Sequence, residues 1–256
     1  MSLYKYMKCI FWGMGIFIFM ELFIFPEVTC ATQKVYSPYV EKGELEVEIR
    51  GSVDNDERIS RSGVLKQKYA IGYGFTDIWF SEVYGEIEKE RNDADEDFDM
   101  EFTKVEWENK FQLTPEGKYP VDLGFLLEYA ISTESKHPDS LEAVVLLGRD
   151  IGKTTHYANL IFEREVGGGH SDEIEGELAW SSRYRLNRKF EPGWEYHAKF
   201  GGLSEGEDFD EQTHQVGPAI YGEIGNISYD LGYLFGISDA APQGSFKWIL
   251  EYEIKF

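Results

Sequence analysis

The chain has few cysteines, no second long apolar run and too few basic residues to balance its acids. Its two cysteines are Cys9 and Cys30, both in or beside an N-terminal stretch that reads as a leader, so residues 32–256 contain none. That excludes a disulfide framework and any thiolate metal site in the mature chain. Beyond residue 25 nothing approaches the run of about eighteen apolar residues that a spanning helix requires. Entry into lipid would therefore have to use strands, because only helices and closed barrels satisfy every backbone group there. Lysine and arginine number 25 against 47 aspartates and glutamates, a net charge of −22. Nucleic-acid phosphates would be repelled by such a surface, and no nucleic-acid partner is expected.

The leader has the order of a secretory signal. Lys5 and Lys8 precede an apolar run from Cys9 to Phe25 broken only by Glu21, and Pro26 and Glu27 lead into the small-residue stretch Thr29-Cys30-Ala31. Cleavage is expected after Ala31, giving a signal peptide over 1–31 and a single domain over 32–256. An uncleaved anchor is the alternative, since the run is nearly long enough to span. Lys5 and Lys8 leave together with Glu21 and Glu27, so cleavage does not alter the net charge.

Polar as it is, the chain is 16% aromatic, and a repeat of period two accounts for the combination. Successive strand side chains point to opposite faces, so a barrel wall reads apolar toward lipid and polar toward its interior. In the last segment Phe246, Trp248, Leu250, Tyr252, Ile254 and Phe256 share one face. Lys247, Glu251, Glu253 and Lys255 share the other, which only Ile249 interrupts. Similar alternation runs from Glu44, Leu65, Val105, Val121, Ile174, Trp194 and Ile227. Weaker segments lie at 77–88, 141–148, 154–165 and 215–223; the outward face of 77–88 is ambiguous, and Pro218 suits a bulge or strand end. The sum is about twelve strands, in an all-β, antiparallel, transmembrane up-and-down barrel.

A soluble β-sandwich also alternates. Long strands and two groups of outward aromatics favour the barrel. Phe75, Phe111, Trp194, Tyr229 and Tyr252 would lie toward one rim, and Phe102, Phe200, Phe235, Phe246 and Trp248 toward the other, as interfacial girdles. Long connections are expected at 53–63, 89–97, 132–140, 166–173, 203–214 and 238–244. Short turns are expected near 76–77, 114–118, 148–153, 187–192 and 223–226.

The closing residues WILEYEIKF resemble the C-terminal signal read by the outer-membrane barrel assembly machinery, carried here by Trp248, Leu250, Tyr252, Ile254 and Phe256. Tyr73-Gly74-Phe75-Thr76-Asp77 is similar to a turn of the phenol-degradation meta-pathway outer-membrane proteins. That resemblance implies a transporter barrel in the outer membrane of a Gram-negative bacterium. It covers one turn, and Ile78-Trp79-Phe80 departs from the family's pattern.

Catalytic machinery is not expected. His170-Ser171 follows Gly167-Gly168-Gly169, but a nucleophilic serine needs a base held by a third group, and the order typical of barrel phospholipases is missing. His137, His156, His170, His197 and His214 show no metal-ligand spacing. His137, His170 and His214 are expected on loops. The acid-rich stretches 92–97 and 205–210 lack the oxygen pattern of a calcium loop. No metal and no cofactor are expected.

The interior is expected to be lined by Glu46, Glu48, Glu106, Glu108, Asp122, Glu128, Glu175, Glu177, Arg183, Arg185 and Lys199. A water-filled ring biased to carboxylates favours cations; in a narrow barrel the same charges pair and fill the interior. The expected function is passage of small solutes, cation-biased, across the bacterial outer membrane. A non-conducting structural or surface-interaction barrel is the alternative. Expected partners are outer-membrane lipid, lipopolysaccharide bridged to acidic loops by divalent cations, the assembly machinery, and small solutes or cations.

Overall fold

The computed structural model describes residues 33–58, 62–91, 98–133, 138–167, 173–204 and 206–256. The expected signal peptide, the acidic stretch 92–97, His137 and the His170-Ser171 pair lie outside them. Twelve strands follow in chain order: β1 (Glu44–Asn55), β2 (Leu65–Thr76), β3 (Trp79–Arg91), β4 (Phe98–Gln112), β5 (Asp122–Ser132), β6 (Asp139–Ile151), β7 (Thr154–Val166), β8 (Ile174–Tyr184), β9 (Glu191–Gly202), β10 (Thr213–Ile224), β11 (Ile227–Gly236) and β12 (Gly244–Lys255). Each pairs antiparallel with its sequence neighbours, and β1 pairs with β12 from Glu44↔Lys255 to Asn55↔Gly244, closing the sheet. Closure leaves no strand edge with unpaired backbone groups. The four weaker segments are strands β3, β6, β7 and β10.

Burial follows the alternation. Leu45, Val47 and Ile49 turn outward while Glu46, Glu48 and Arg50 are buried. Large apolar side chains stand exposed around the whole wall, among them Ile71, Val83, Trp107, Leu127, Leu160, Trp194 and Leu250. The aromatic groups lie where the sequence places them except for Trp248, which stands near the middle of β12. Phe75, Phe111, Trp194, Tyr229 and Tyr252 are near the rim that carries Glu44 and Lys255, here termed the terminal rim, and Phe102, Phe200, Phe235 and Phe246 are near the opposite rim. At the terminal rim Phe75 stacks on Trp79 at 4.8 Å, and Trp79 lies parallel to Phe111 at 6.5 Å.

The ambiguous face of β3 resolves by what its inward neighbours leave free. Phe80 and Tyr84 are buried and Val83 is exposed. The Phe80 ring occupies the space above Gly72, where a β-carbon would meet it. Arg50 lies over the Tyr84 ring at 4.4 Å, a cation–π contact away from water. Tight turns close β6 to β7 and β10 to β11, with Gly152 and Gly225 at φ of 60° and 68°, the conformation a type II′ hairpin needs at its first central residue.

Three expectations need correction. Pro218 stands mid-strand in β10, opposite Trp194 in an unbroken register, rather than at a bulge or strand end. The connection 113–121 at the terminal rim is longer than 92–97 and 133–138 at the opposite rim, so the long–short rhythm fails there. This connection satisfies its own backbone: Leu123 N–H donates to Thr114 Oγ1 at 2.8 Å and Gly117 N–H to Asp122 Oδ2 at 2.8 Å. His214 belongs to β10 rather than to a loop. Its ring stacks on Phe209 at 4.4 Å and hydrogen-bonds Tyr196 and Gln212, so the loop before β10 folds back onto the strand.

Candidate functional site in the barrel interior

The interior is filled by two components, wall side chains and the stretch that precedes β1. Lys68 on β2 reaches Glu106 on β4 at 2.6 Å and Glu86 on β3 at 3.1 Å. Elsewhere on the wall, Lys247 on β12 reaches Glu195 on β9 at 2.6 Å and Asp230 on β11 at 2.8 Å. Strands β9 and β12 are separated in the sheet by β10 and β11, so that pair bridges the inner face of a quarter of the wall. Glu195 also accepts from Tyr221 Oη at 2.6 Å and bonds His197 at 2.8 Å. Lys247 and Glu195 side chains are 1% and 0% exposed, so removing either one alone would leave a buried charge without its partner.

Residues 33–41 enter from the terminal rim and run inside the wall. Gly43, at φ 78°, turns the chain inward; its N–H donates to Gly74 O at 2.8 Å and its carbonyl accepts from Phe256 N–H at 3.0 Å. Glu41 pairs with Lys255 at the rim, and this contact holds the Glu41 carboxyl below its ordinary range. Further in, Gln112 Oε1 accepts from Val40 N–H at 2.9 Å and Tyr39 Oη donates to Asp122 at 2.8 Å. Asn159 on β7 clamps Tyr36, accepting its N–H at 2.7 Å and donating to its carbonyl at 2.9 Å. Tyr36 Oη accepts from Arg50 at 2.8 Å and donates to Glu108 at 2.9 Å.

Lys34 sits among Glu48, Glu251 at 2.8 Å and Glu46 at 3.9 Å. These three carboxylates have oxygens within 4.8 Å of one another, spacing that suits a hard cation; the Lys34 ammonium takes that position. Gln33 bonds Gln215, and its carbonyl accepts from Lys247 at 3.1 Å. Gln215 is the third residue of β10, counted from the opposite rim, so the segment crosses most of the interior's depth.

Beside Tyr36 the wall is apolar. Leu126, Val144 and Leu146 are fully buried and pack with Tyr36, flanked by Ile161. Ile249, the one apolar residue on the inward face of β12, is buried as well.

The residues expected to line the interior have these positions. Glu46, Glu48, Glu106, Glu108 and Asp122 are buried and Glu128 is half-buried. Glu177 pairs with Lys199 at 2.6 Å and Arg183 with Glu191 at 3.4 Å. Glu175 is exposed near the opposite rim. Arg185 follows the end of β8 at the terminal rim, where it pairs with Asp150 and donates to Thr155 at 2.8 Å. Sequence reasoning missed the whole 33–41 segment, Asn159, Leu126 and Val144; it put Lys247, Glu195 and Asp230 on polar faces but did not join them. Inward glycines were a usable signal: Gly124 and Gly148 leave room for Pro38, which a β-carbon would approach to 3.0 and 2.8 Å.

No family model matches the chain, and no curated protein matches it. Among solved structures it is similar to the NanC porin, with a TM-score of 0.53 at 10% identity over 82% of this chain and 100% of that one. The translocator domain of the autotransporter NalP from Neisseria meningitidis aligns with a TM-score of 0.46 at 11% identity, covering 83% and 88% of the two chains. The porin match shows a shared barrel fold.

Proposed function

We propose that this chain is a bacterial outer-membrane barrel through which small solutes pass, with a preference for cations. The observation that carries the reading is a wall built for two media. Its outward face is apolar around the full circumference, far beyond the patch a soluble monomer exposes. Its inward rows are ionic, and carboxylates outnumber cations along them: Glu46, Glu48, Glu82, Glu86, Glu106, Glu108 and Glu128 on β1, β3, β4 and β5 face Arg50, Lys66, Lys68 and Lys110, with Lys34 inside. A water path along such a wall concentrates cations and repels anions. The Tyr73–Asp77 likeness to the meta-pathway transporter barrels agrees with transport, and the C-terminal pattern with delivery by the assembly machinery. The acidic loops would meet lipopolysaccharide through bridging divalent cations.

Planar-bilayer recording of the purified barrel tests this. Single-channel steps are expected, with a reversal potential in a salt gradient of the sign that cation preference dictates. Silence in every salt refutes passage, and anion selectivity refutes control by the inward carboxylates. The non-conducting barrel is favoured by one observation, the packing of Tyr36 against Leu126, Val144 and Leu146 inside the wall. Silence would leave that reading standing.

A further inference from the structure

We infer that residues 33–41 are a removable plug, latched by Lys34 and Tyr36, whose displacement opens the barrel. The inference rests on the conduit reading and adds its regulation. Three observations separate this segment from the wall. It has no regular secondary structure, and the backbone of Tyr36 and Val40 is held by the side chains of Asn159 and Gln112 rather than by the ladder. Withdrawing it therefore breaks side-chain contacts and leaves the twelve paired strands intact. At Pro38 its track is floored by Gly124 and Gly148, so there it meets backbone, while Tyr36 and Tyr39 are the side chains that must leave their wall contacts.

The latch is electrostatic. Lys34 neutralises part of the Glu46, Glu48 and Glu251 cluster, and Tyr36 Oη bridges Arg50 to Glu108. A buried charge without its partner is costly in a dry interior. When the plug leaves, water enters in its place and solvates the same carboxylates, so the filled and emptied interiors can lie close in free energy. With the leader removed after Ala31, as the sequence leads one to expect, the plug is a free tail hinged at Gly43. It can then retreat through the terminal rim without threading.

The test uses the full barrel in planar bilayers and one reporter that does not depend on conduction. Lys34→Ala with Tyr36→Ala weakens the latch while leaving every wall residue unchanged, and open probability should rise about tenfold or more. Pro38→Cys with Gly124→Cys places two β-carbons about 3.0 Å apart by the present geometry, within a small shift of disulfide spacing. Oxidised, this variant should fall silent, and a reductant should restore it. The thiol introduced by Ser37→Cys should react slowly with a water-soluble maleimide, and faster when the latch substitutions are added.

Equal, non-zero conductance of the oxidised and reduced lock overturns the plug while the conduit survives. Maleimide labelling at position 37 that is unchanged on latch removal also overturns it. Faster labelling at that position without conductance in any variant supports displacement of the segment and refutes the conduit. If the latch variant fails to fold, the lock decides, because it keeps Lys34 and Tyr36 in place.

Discussion

Replacing Lys247 by methionine isolates the ion group that joins β9, β11 and β12 and asks whether that part of the interior is dry. Methionine keeps much of the side chain's length and removes its charge. Glu195, 0% exposed, then loses its cation, and Asp230, 15% exposed, loses the same partner. Removing one member of a buried pair typically costs about 3–5 kcal/mol, because the other charge stays behind. With a urea slope of about 2 kcal/mol/M, a loss of about 4 kcal/mol moves the unfolding midpoint down by about 2 M. The assay is urea unfolding in detergent or lipid, followed by tryptophan fluorescence and by the mobility of unheated samples on gels. Adding Glu195→Gln to Lys247→Met should recover part of the loss, since the more deeply buried of the two orphaned charges is then gone while Asp230 remains. A single-variant loss below about 1 kcal/mol, or a double variant that is simply additive, refutes a dry interior at this level. Water would then reach Glu195 in the resting state, and the plug would not be what keeps the path shut.

At the opposite rim Asp56 and Arg58 staple two loops: Arg58 pairs with Asp56 and donates to the carbonyls of Asp239 at 2.7 Å and Ala241 at 2.6 Å. The Arg58 hydrogen bond holds the Asp56 carboxyl below its ordinary value, so its contribution to stability is complete above about pH 4. That contribution is lost as pH falls through the lower folded-state value. Urea midpoints of wild type and Asp56→Asn should therefore differ at pH 6 and converge in acid; a gap that widens on acidification contradicts the staple. The Phe256 side chain is 83% exposed, so Phe256→Ala should leave the folded barrel's stability within about 0.5 kcal/mol. Assembly in cells should drop clearly, measured as the folded, heat-modifiable fraction in outer-membrane preparations. Equal assembly would remove Phe256 from the insertion signal.

The wall is legible in the amino-acid order alone. Strand alternation is local: Leu45, Val47 and Ile49 announce an apolar face, and Glu46 and Glu48 a polar one, without knowledge of any neighbour. Antiparallel hairpins joined by Gly152 and Gly225 are local as well, so strand number and both aromatic girdles could be read directly. Where two faces of one strand look alike, as with Phe80 and Val83, periodicity had nothing to distinguish them, and Gly72 on the adjacent strand β2 and Arg50 on β1 beyond it settled the matter. What fills the barrel depends on contacts between distant parts of the chain. Gln33 meets Gln215 across 182 positions, and Tyr36 meets Asn159 across 123. Neither pair leaves a periodic trace, because contact between a coiled segment and a distant strand depends on closure of the whole sheet. Glu46, Glu48 and Glu251 are legible as inward carboxylates; that they gather around Lys34 follows from β1 pairing with β12 and from a chain that turns back at Gly43.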